Sequence, residues 1–280
     1  MGITNLAIIF FFAFIPAMGW LVLYYLKDDL DPEPKKVVSM AFLFGALAAL
    51  PFLALRYLMP ILAGNSWVFQ GFSLLVIFSL MEEMAKLAAA IHAVRTRPKV
   101  FNQIIDGVVY AVSAALGFAF VENMIYFWSF VQYGASDNLL YVTVFRSFGT
   151  MLAHTLFSAT AGLISAYAYF SKQISPFHQK HIMAFEVEDF LNREILTLHI
   201  LRQNVLKGQA SRRGGHEKKI LVLEGILLAT GFHIAFNLTT TFNVFGKSLT
   251  FLLVPALMGG FLYVSYLFTK RFNQKILKIV

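Results

Sequence analysis

Seven stretches of this chain are each apolar for about 20 residues or more, the length a helix needs to cross a bilayer. They run over roughly 5–26, 37–62, 67–93, 102–130, 139–170, 219–242 and 249–269. In hydrocarbon every backbone N–H and C=O must find its partner inside the protein, so such a chain is expected to fold as an all-α bundle of about seven transmembrane helices. Composition agrees: 58% of the residues are hydrophobic and 14% are charged, against about 25% charged in a soluble domain. Several runs exceed 25 residues, which predicts tilt, kinks or protruding ends. Pro51 and Pro60 are expected to kink or end the second span, and Pro255 the seventh.

The cations orient the bundle. Of 23 Lys and Arg, 19 fall on one set of alternate loops and one on the other, while Arg56, Lys86 and Arg146 lie inside helices. Basic loops stay cytoplasmic, so the expected topology has the N-terminus out and the C-terminus in. The net charge of +8 is then a matter of membrane orientation, and no nucleic-acid partner is implied. The chain has no cysteine, which excludes disulfides, thiolate metal sites and a cysteine nucleophile. Its start, "MGITNLAIIFFFAF", lacks a basic leader and a small-residue cleavage site, and reads as a first span. The expected organisation is five spans over 1–170, a cytoplasmic loop over 171–218, and two spans with a basic tail over 219–280. In the loop, Phe190, Leu191, Ile195, Leu198, Leu201 and Val205 recur at helical spacing, which predicts an amphipathic helix on the inner membrane face or on a partner. The loop histidines His178, His181, His199 and His216 lack tight ligand spacing and read as solvated polar residues.

The residues a bilayer should exclude are more informative. An ionisable side chain at mid-bilayer costs about 2.5–3.5 kcal/mol on insertion scales. Yet "FSLMEEMAKLAAAI" carries Glu82, Glu83 and Lys86, and the following spans carry Glu122 with Asn123, Arg146 with His154, and His233 with Asn237. The acids and imidazoles lie within about six residues of their helix midpoints, a slab within roughly 10 Å of mid-membrane at 1.5 Å rise per residue. Glu82 and Lys86 are i,i+4, as are His233 and Asn237, so each pair shares a helix face. Glu82 and Glu83 point about 100° apart, so one is expected to face a cavity and the other to pair with Lys86 or the backbone. Taken singly, Asn123 and Asn237 read as interhelical hydrogen-bonding residues, and a lone Glu–Lys pair as a structural lock. Three carboxylates and two imidazoles at one depth exceed what stability requires, and mark a proton relay, an ion path or a catalytic centre.

Two classes of function fit such a cluster. A proton- or ion-coupled transporter would be expected to show internal repeats and broken helices, and none is visible here. A retinal protein needs a lysine in its last span, and "LTFLLVPALMGGFLYVSYLF" has none. Seven-helix lipid amidases close their zinc site with two histidines four apart, where this chain has His233 and Asn237. For hydrolysis the parts are complete. A buried glutamate activates water and passes the proton to the leaving amine, with histidine and asparagine donors on the oxyanion. Alternatively Glu122, His154 and His233 hold a zinc ion, with a helix-three glutamate as base.

At these residues the chain resembles the PrsW family of intramembrane proteases, relatives of the CAAX prenyl proteases and abortive-infection proteins. The EExxK pattern matches Glu82, Glu83 and Lys86, and FxxxE running on to Asn matches Phe118, Glu122 and Asn123. A mid-helix histidine matches His154, and HxxxN matches His233 and Asn237. The polar "DLDPEPKK" after the first span is similar to the acidic, proline-containing turn of that family. The resemblance implies cleavage of membrane-anchored protein substrates, with anti-sigma factors the best-known class, in a bacterial cytoplasmic membrane. It implies Glu82 as the water-activating base, although helical spacing pairs Glu82 with Lys86 and nominates Glu83. It leaves open a metal-dependent or a glutamate-only mechanism. Glu122 in place of the histidine of the CAAX branch favours the PrsW branch.

Overall fold

The computed structural model describes residues 3–28, 32–63, 71–133, 139–170, 216–241, 243–244, 247–248 and 253–267. Helices α1 (Ile3–Lys27), α2 (Lys35–Ala63), α3 (Phe72–Arg95) and α4 (Ile104–Tyr133) come first. A short α5 (Leu139–Val144) passes through a π-helical segment, Phe145–Thr150, into α6 (Met151–Phe170). Helices α7 (His216–Thr241) and α8 (Leu253–Leu267) complete the bundle. Between them lies a two-residue antiparallel ladder, β1 (Asn243–Val244) with β2 (Lys247–Ser248). The predicted amphipathic helix and His178, His181 and His199 fall outside the described residues.

Among the described residues, five helices are long and apolar enough to cross a membrane: Leu6–Lys27, Lys35–Phe52, Ile104–Ser129, Tyr141–Phe170 and Lys218–Thr240. Helix α3 differs because every 18-residue stretch of it contains Glu82, Glu83 and Lys86. Helix α8 differs because its described length is 15 residues. Helix α2 runs on through Pro51 and Pro60 to Ala63, so of the two expected outcomes, a kink or an end, neither proline ends it. Pro255 sits in the first turn of α8, where a missing N–H costs nothing.

Helix α4 is the centre, and small residues place it there. A Cβ on Gly117 would sit 1.9 Å from the Phe42 carbonyl oxygen of α2, and one on Gly45 1.9 Å from that of Ala114. On the other side, a Cβ on Gly162 of α6 would lie 2.2 Å from the Gly107 carbonyl oxygen. Between membrane helices no apolar transfer drives association, so backbones that approach this closely maximise packing contact. Val108, Val112, Ala114, Ala115 and Leu116 are accordingly fully enclosed. Helix α1, by contrast, turns Phe11, Phe12 and Ile15 outward at more than half exposure, as a lipid-facing helix should.

The ends of α3 and α4 are fastened by their own side chains. Thr96 Oγ1 donates to the Ala93 carbonyl at 2.7 Å and closes α3, whose last turn carries His92 and Arg95 against the helix dipole. Asp106 accepts from the backbone N–H of Asn102 at 2.8 Å and of Gln103 at 2.6 Å, which caps the entry to α4. At the same end, Tyr110 donates to the buried Glu33 carboxylate. Burial above all, reinforced by neighbouring Asp106, pushes the Glu33 carboxyl up to about 9.

Candidate active site in the bundle core

Glu83 organises the cluster. Its Oε1 accepts from Lys86 Nζ at 2.7 Å, one turn along α3, and from His233 Nδ1 of α7 at 2.9 Å. Its Oε2 accepts from Ser158 Oγ of α6 at 3.3 Å. The expected Glu82–Lys86 pair is therefore corrected: the i,i+3 neighbour Glu83 takes the lysine. The 100° between successive side chains then turns Glu82 away, toward the space between α3 and α7. There Glu82 Oε2 lies 3.8 Å from His233 Nε2 and has no hydrogen-bond partner, although the residue is 9% exposed. A buried carboxylate oxygen without a partner is rare enough to mark a place where something else binds.

Lys86 is wholly enclosed and has a second acceptor, His154 Nδ1 at 2.6 Å, with the Phe118 ring 4.9 Å from its nitrogen. An ammonium only donates, so His154 Nδ1 must accept. Its proton then sits on Nε2, which donates to Glu122 Oε2 at 3.0 Å. In the same way a Glu83 carboxylate fixes the proton of His233 on Nδ1, leaving Nε2 as a bare acceptor facing Glu82. The two imidazole rings lie 5.3 Å apart at 80°, and Phe157 stacks on His233 at 5.4 Å.

Glu122 is held from the far side by Arg146 Nη2 at 3.2 Å. The π-helical segment is what presents this arginine. Sequence alone suggested an unbroken fifth span, and the wider turn at Phe145–Thr150 departs from that by re-aiming Arg146 into the bundle. Arg146 Nε donates to Asn123 Oδ1 at 2.7 Å, and its guanidinium lies 3.5 Å from the Tyr126 ring centre. Trp20 Nε1 of α1 donates to the Ser147 carbonyl at 3.1 Å, which ties α1 to the π-helical segment.

The structure thus draws Glu82, Glu83, Lys86, Glu122, His154 and His233 into one connected cluster. Asn237 stands one turn further along α7, its Nδ2 3.5 Å from Ser79 Oγ, beside the cluster rather than in it. Ser158 and Ser79 escaped the sequence reading. The signal was present in their spacing, since Ser158 is four residues from His154 and Ser79 four from Glu83.

Among the described residues, one group of side chains has donors close enough to share a metal ion: Glu82, His154 and His233 place one ligand atom each within 4.8 Å of one another. Of the set Glu122, His154 and His233 read from sequence, Glu122 directs its Oε2 to His154 and Arg146. A carboxylate and two imidazoles suit zinc in type. The orphaned Glu82 Oε2 and the bare His233 Nε2 fit as donors, the latter with the carboxylate behind Nδ1 usual for a ligating histidine. His154 could serve through Nε2 only with its proton moved to Nδ1, the atom that here accepts from Lys86.

Comparison with known proteins places this chain in a family. The profile of the PrsW family intramembrane metalloprotease matches residues 33–186. The chain is 29% identical over 157 residues to a Protease PrsW of Geobacillus kaustophilus, covering 56% of this chain and 64% of that protein. It is 34% identical over 168 residues to a Protease PrsW of Clostridioides difficile, covering 58% and 66%. A Protease PrsW of Bacillus subtilis is 30% identical over 113 residues, covering 40% and 50%. The matches therefore span less than two thirds of these relatives' own length. No solved structure matches the chain.

Proposed function

The chain belongs to the PrsW family of intramembrane metalloproteases, and on that premise we propose that it is a membrane-embedded endopeptidase that cleaves membrane-anchored protein substrates. The observation that carries this reading is the pair of acceptors aimed at one spot, the orphaned Glu82 Oε2 and the bare His233 Nε2. A water placed there directs one hydrogen to each acceptor and its lone pair outward at a substrate carbonyl. Glu82 takes one proton as the oxygen attacks, and the carbonyl becomes an oxyanion. Asn237, one turn along the same face of α7, supplies an amide donor to that oxyanion. When the C–N bond breaks, the protonated Glu82 returns its proton to the leaving amine. Glu83 and Lys86 do not touch substrate in this scheme; they fix the tautomers of His233 and His154. A divalent ion held by Glu82, His154 and His233 would supply Lewis-acid polarisation of the carbonyl and a more acidic water.

The family match favours this over the transporter, and supports a bacterial membrane as the setting. We further infer seven spans, with α3 and α8 crossing as well, and an outside N-terminus. The buried Glu83–Lys86 pair lowers the cost of carrying α3 through the bilayer. With no native cysteine, single cysteines at Gln209 and Ser136 report the topology directly. In intact cells an impermeant thiol reagent should modify the second and spare the first; the opposite pattern overturns the orientation.

The test of the reaction uses the purified full chain and a single-span substrate in proteoliposomes. Glu82→Gln and His233→Ala should each fold and each lose at least about 100-fold in cleavage. If both fold and both cleave at the wild-type rate, the cluster is not a peptidase site. A chelator then divides the mechanisms: loss restored by zinc assigns the ion to Glu82, His154 and His233, and full resistance assigns the chemistry to the side chains alone.

A further inference from the structure

Away from the polar cluster, a cavity of about 510 Å³ opens between the ends of α3 and α6, the start of α4 and the start of α7. Its walls are apolar, formed among others by Leu87 and Ile91 of α3, Ala166 of α6 and Val222 of α7. Its mouth is not. Arg95 closes the last turn of α3, and Lys218 and Lys219 open α7. Lys218 is pinned at this rim, with Nζ donating to the Tyr169 carbonyl at 2.8 Å and lying 5.8 Å over the Tyr169 ring. The volume falls within the roughly 300–1,000 Å³ typical of small-ligand sites.

We propose that this groove is a binding site for an anionic phospholipid, with one acyl chain along the apolar walls and the headgroup phosphate on Arg95, Lys218 and Lys219. All three cations lie on the basic, cytoplasmic side of the orientation inferred above, and the assignment of membrane side rests on that reading. At that level a lipid's phosphate meets the rim while its chain enters hydrocarbon depth, and basic pockets between membrane helices on this side bind anionic headgroups. A substrate segment fits less well. The cytoplasmic flank of a membrane anchor is itself rich in Lys and Arg, which three fixed cations repel.

The position gives the occupant a consequence. Three of the four helices around the cavity carry Glu82 and Glu83, His154 and His233, and Leu87 follows Lys86 directly. A chain wedged among α3, α6 and α7 fixes their separation one to three turns from the cluster. The lipid is therefore a positioning ligand that favours the assembled site.

Native mass spectrometry and thermal unfolding of the full chain in detergent test this, with phosphatidylglycerol or phosphatidylcholine added back. Neither measurement depends on orientation or on activity, and both are repeated on Glu82→Gln, so failure of the peptidase reading leaves this test intact. Phosphatidylglycerol should bind one per chain and raise the unfolding temperature, while phosphatidylcholine should do neither. Replacing Arg95, Lys218 and Lys219 together by Gln should weaken binding by about 100-fold. Ile91→Trp and Val222→Trp, both on partly exposed wall positions, should block binding with the cations in place. Equal affinity for the two lipids overturns the proposal. So does phosphatidylglycerol binding that survives both Trp variants, which would mean diffuse surface attraction. A third result against it is a Trp variant that loses affinity for a labelled substrate peptide while keeping the lipid.

Discussion

Two buried polar clusters stand at different levels of α4, and they solve the problem of burial differently. At mid-bundle, Glu83 and Glu122 meet Lys86 and Arg146 at 2.7 and 3.2 Å, with an imidazole bonded to each carboxylate. Near the α1–α2 turn, Asp106 instead spends a carboxylate oxygen on backbone N–H groups, and Glu33 accepts from a tyrosine hydroxyl. The first cluster keeps its charges by pairing them, and the second copes by holding a proton on Glu33 up to about pH 9. Paired charge fixes the tautomers of His154 and His233, which chemistry needs. A retained proton serves a structural joint between a turn and a helix.

The comparison breaks most readily at Lys86. Lys86→Met leaves the fully buried Glu83 without its cation, which should cost about 3–5 kcal/mol of stability as well as cleavage. Glu83→Gln with Lys86→Met should recover stability and leave cleavage lost, because His233 then has no carboxylate to fix its tautomer. Equal thermal stability of all three proteins would show that the pair carries no structural charge.

A smaller effect is expected at Arg146, which touches the site only through Glu122. Arg146→Met should lower cleavage about 10- to 100-fold, the usual loss for an outer support of a catalytic group. Arg146→Lys should restore part of it, since a lysine keeps the charge and loses the bond to Asn123. No difference between the two variants would assign Arg146 to packing against Tyr126 alone.

The acidic joint should show the smallest effect, a change of slope. Burial and Asp106 raise the folded carboxyl of Glu33 from the usual 4.5 to about 9, so folding takes up a proton between those values. Its stabilisation is complete below about pH 4.5 and declines as pH rises through about 9. Thermal unfolding followed from pH 5 to 9 should therefore fall more steeply in the wild type than in Glu33→Gln. Identical slopes would mean that Glu33 is ionised throughout.

Much of this was legible in the residues themselves. Apolar runs of about 20 residues can only be satisfied as helices in hydrocarbon, so element type and approximate bounds follow from length and composition. The depth of Glu82, Glu83, Lys86, Glu122, His154 and His233 follows from helical rise, which is why the candidate set could be named before any contact was seen. Depth along an axis says little about rotation around it or about neighbours across a bundle. Glu83 rather than Glu82 takes Lys86 because His233 and Ser158 approach from α7 and α6 to complete that carboxylate. Glu82 is the carboxylate whose oxygen converges with His154 and His233, while Arg146, presented by a wide turn with no sequence mark of its own, holds Glu122 from outside. Composition and spacing along one helix determine which groups lie at a given depth; only packing between helices decides which of them spend their lone pairs on one another and which remain open.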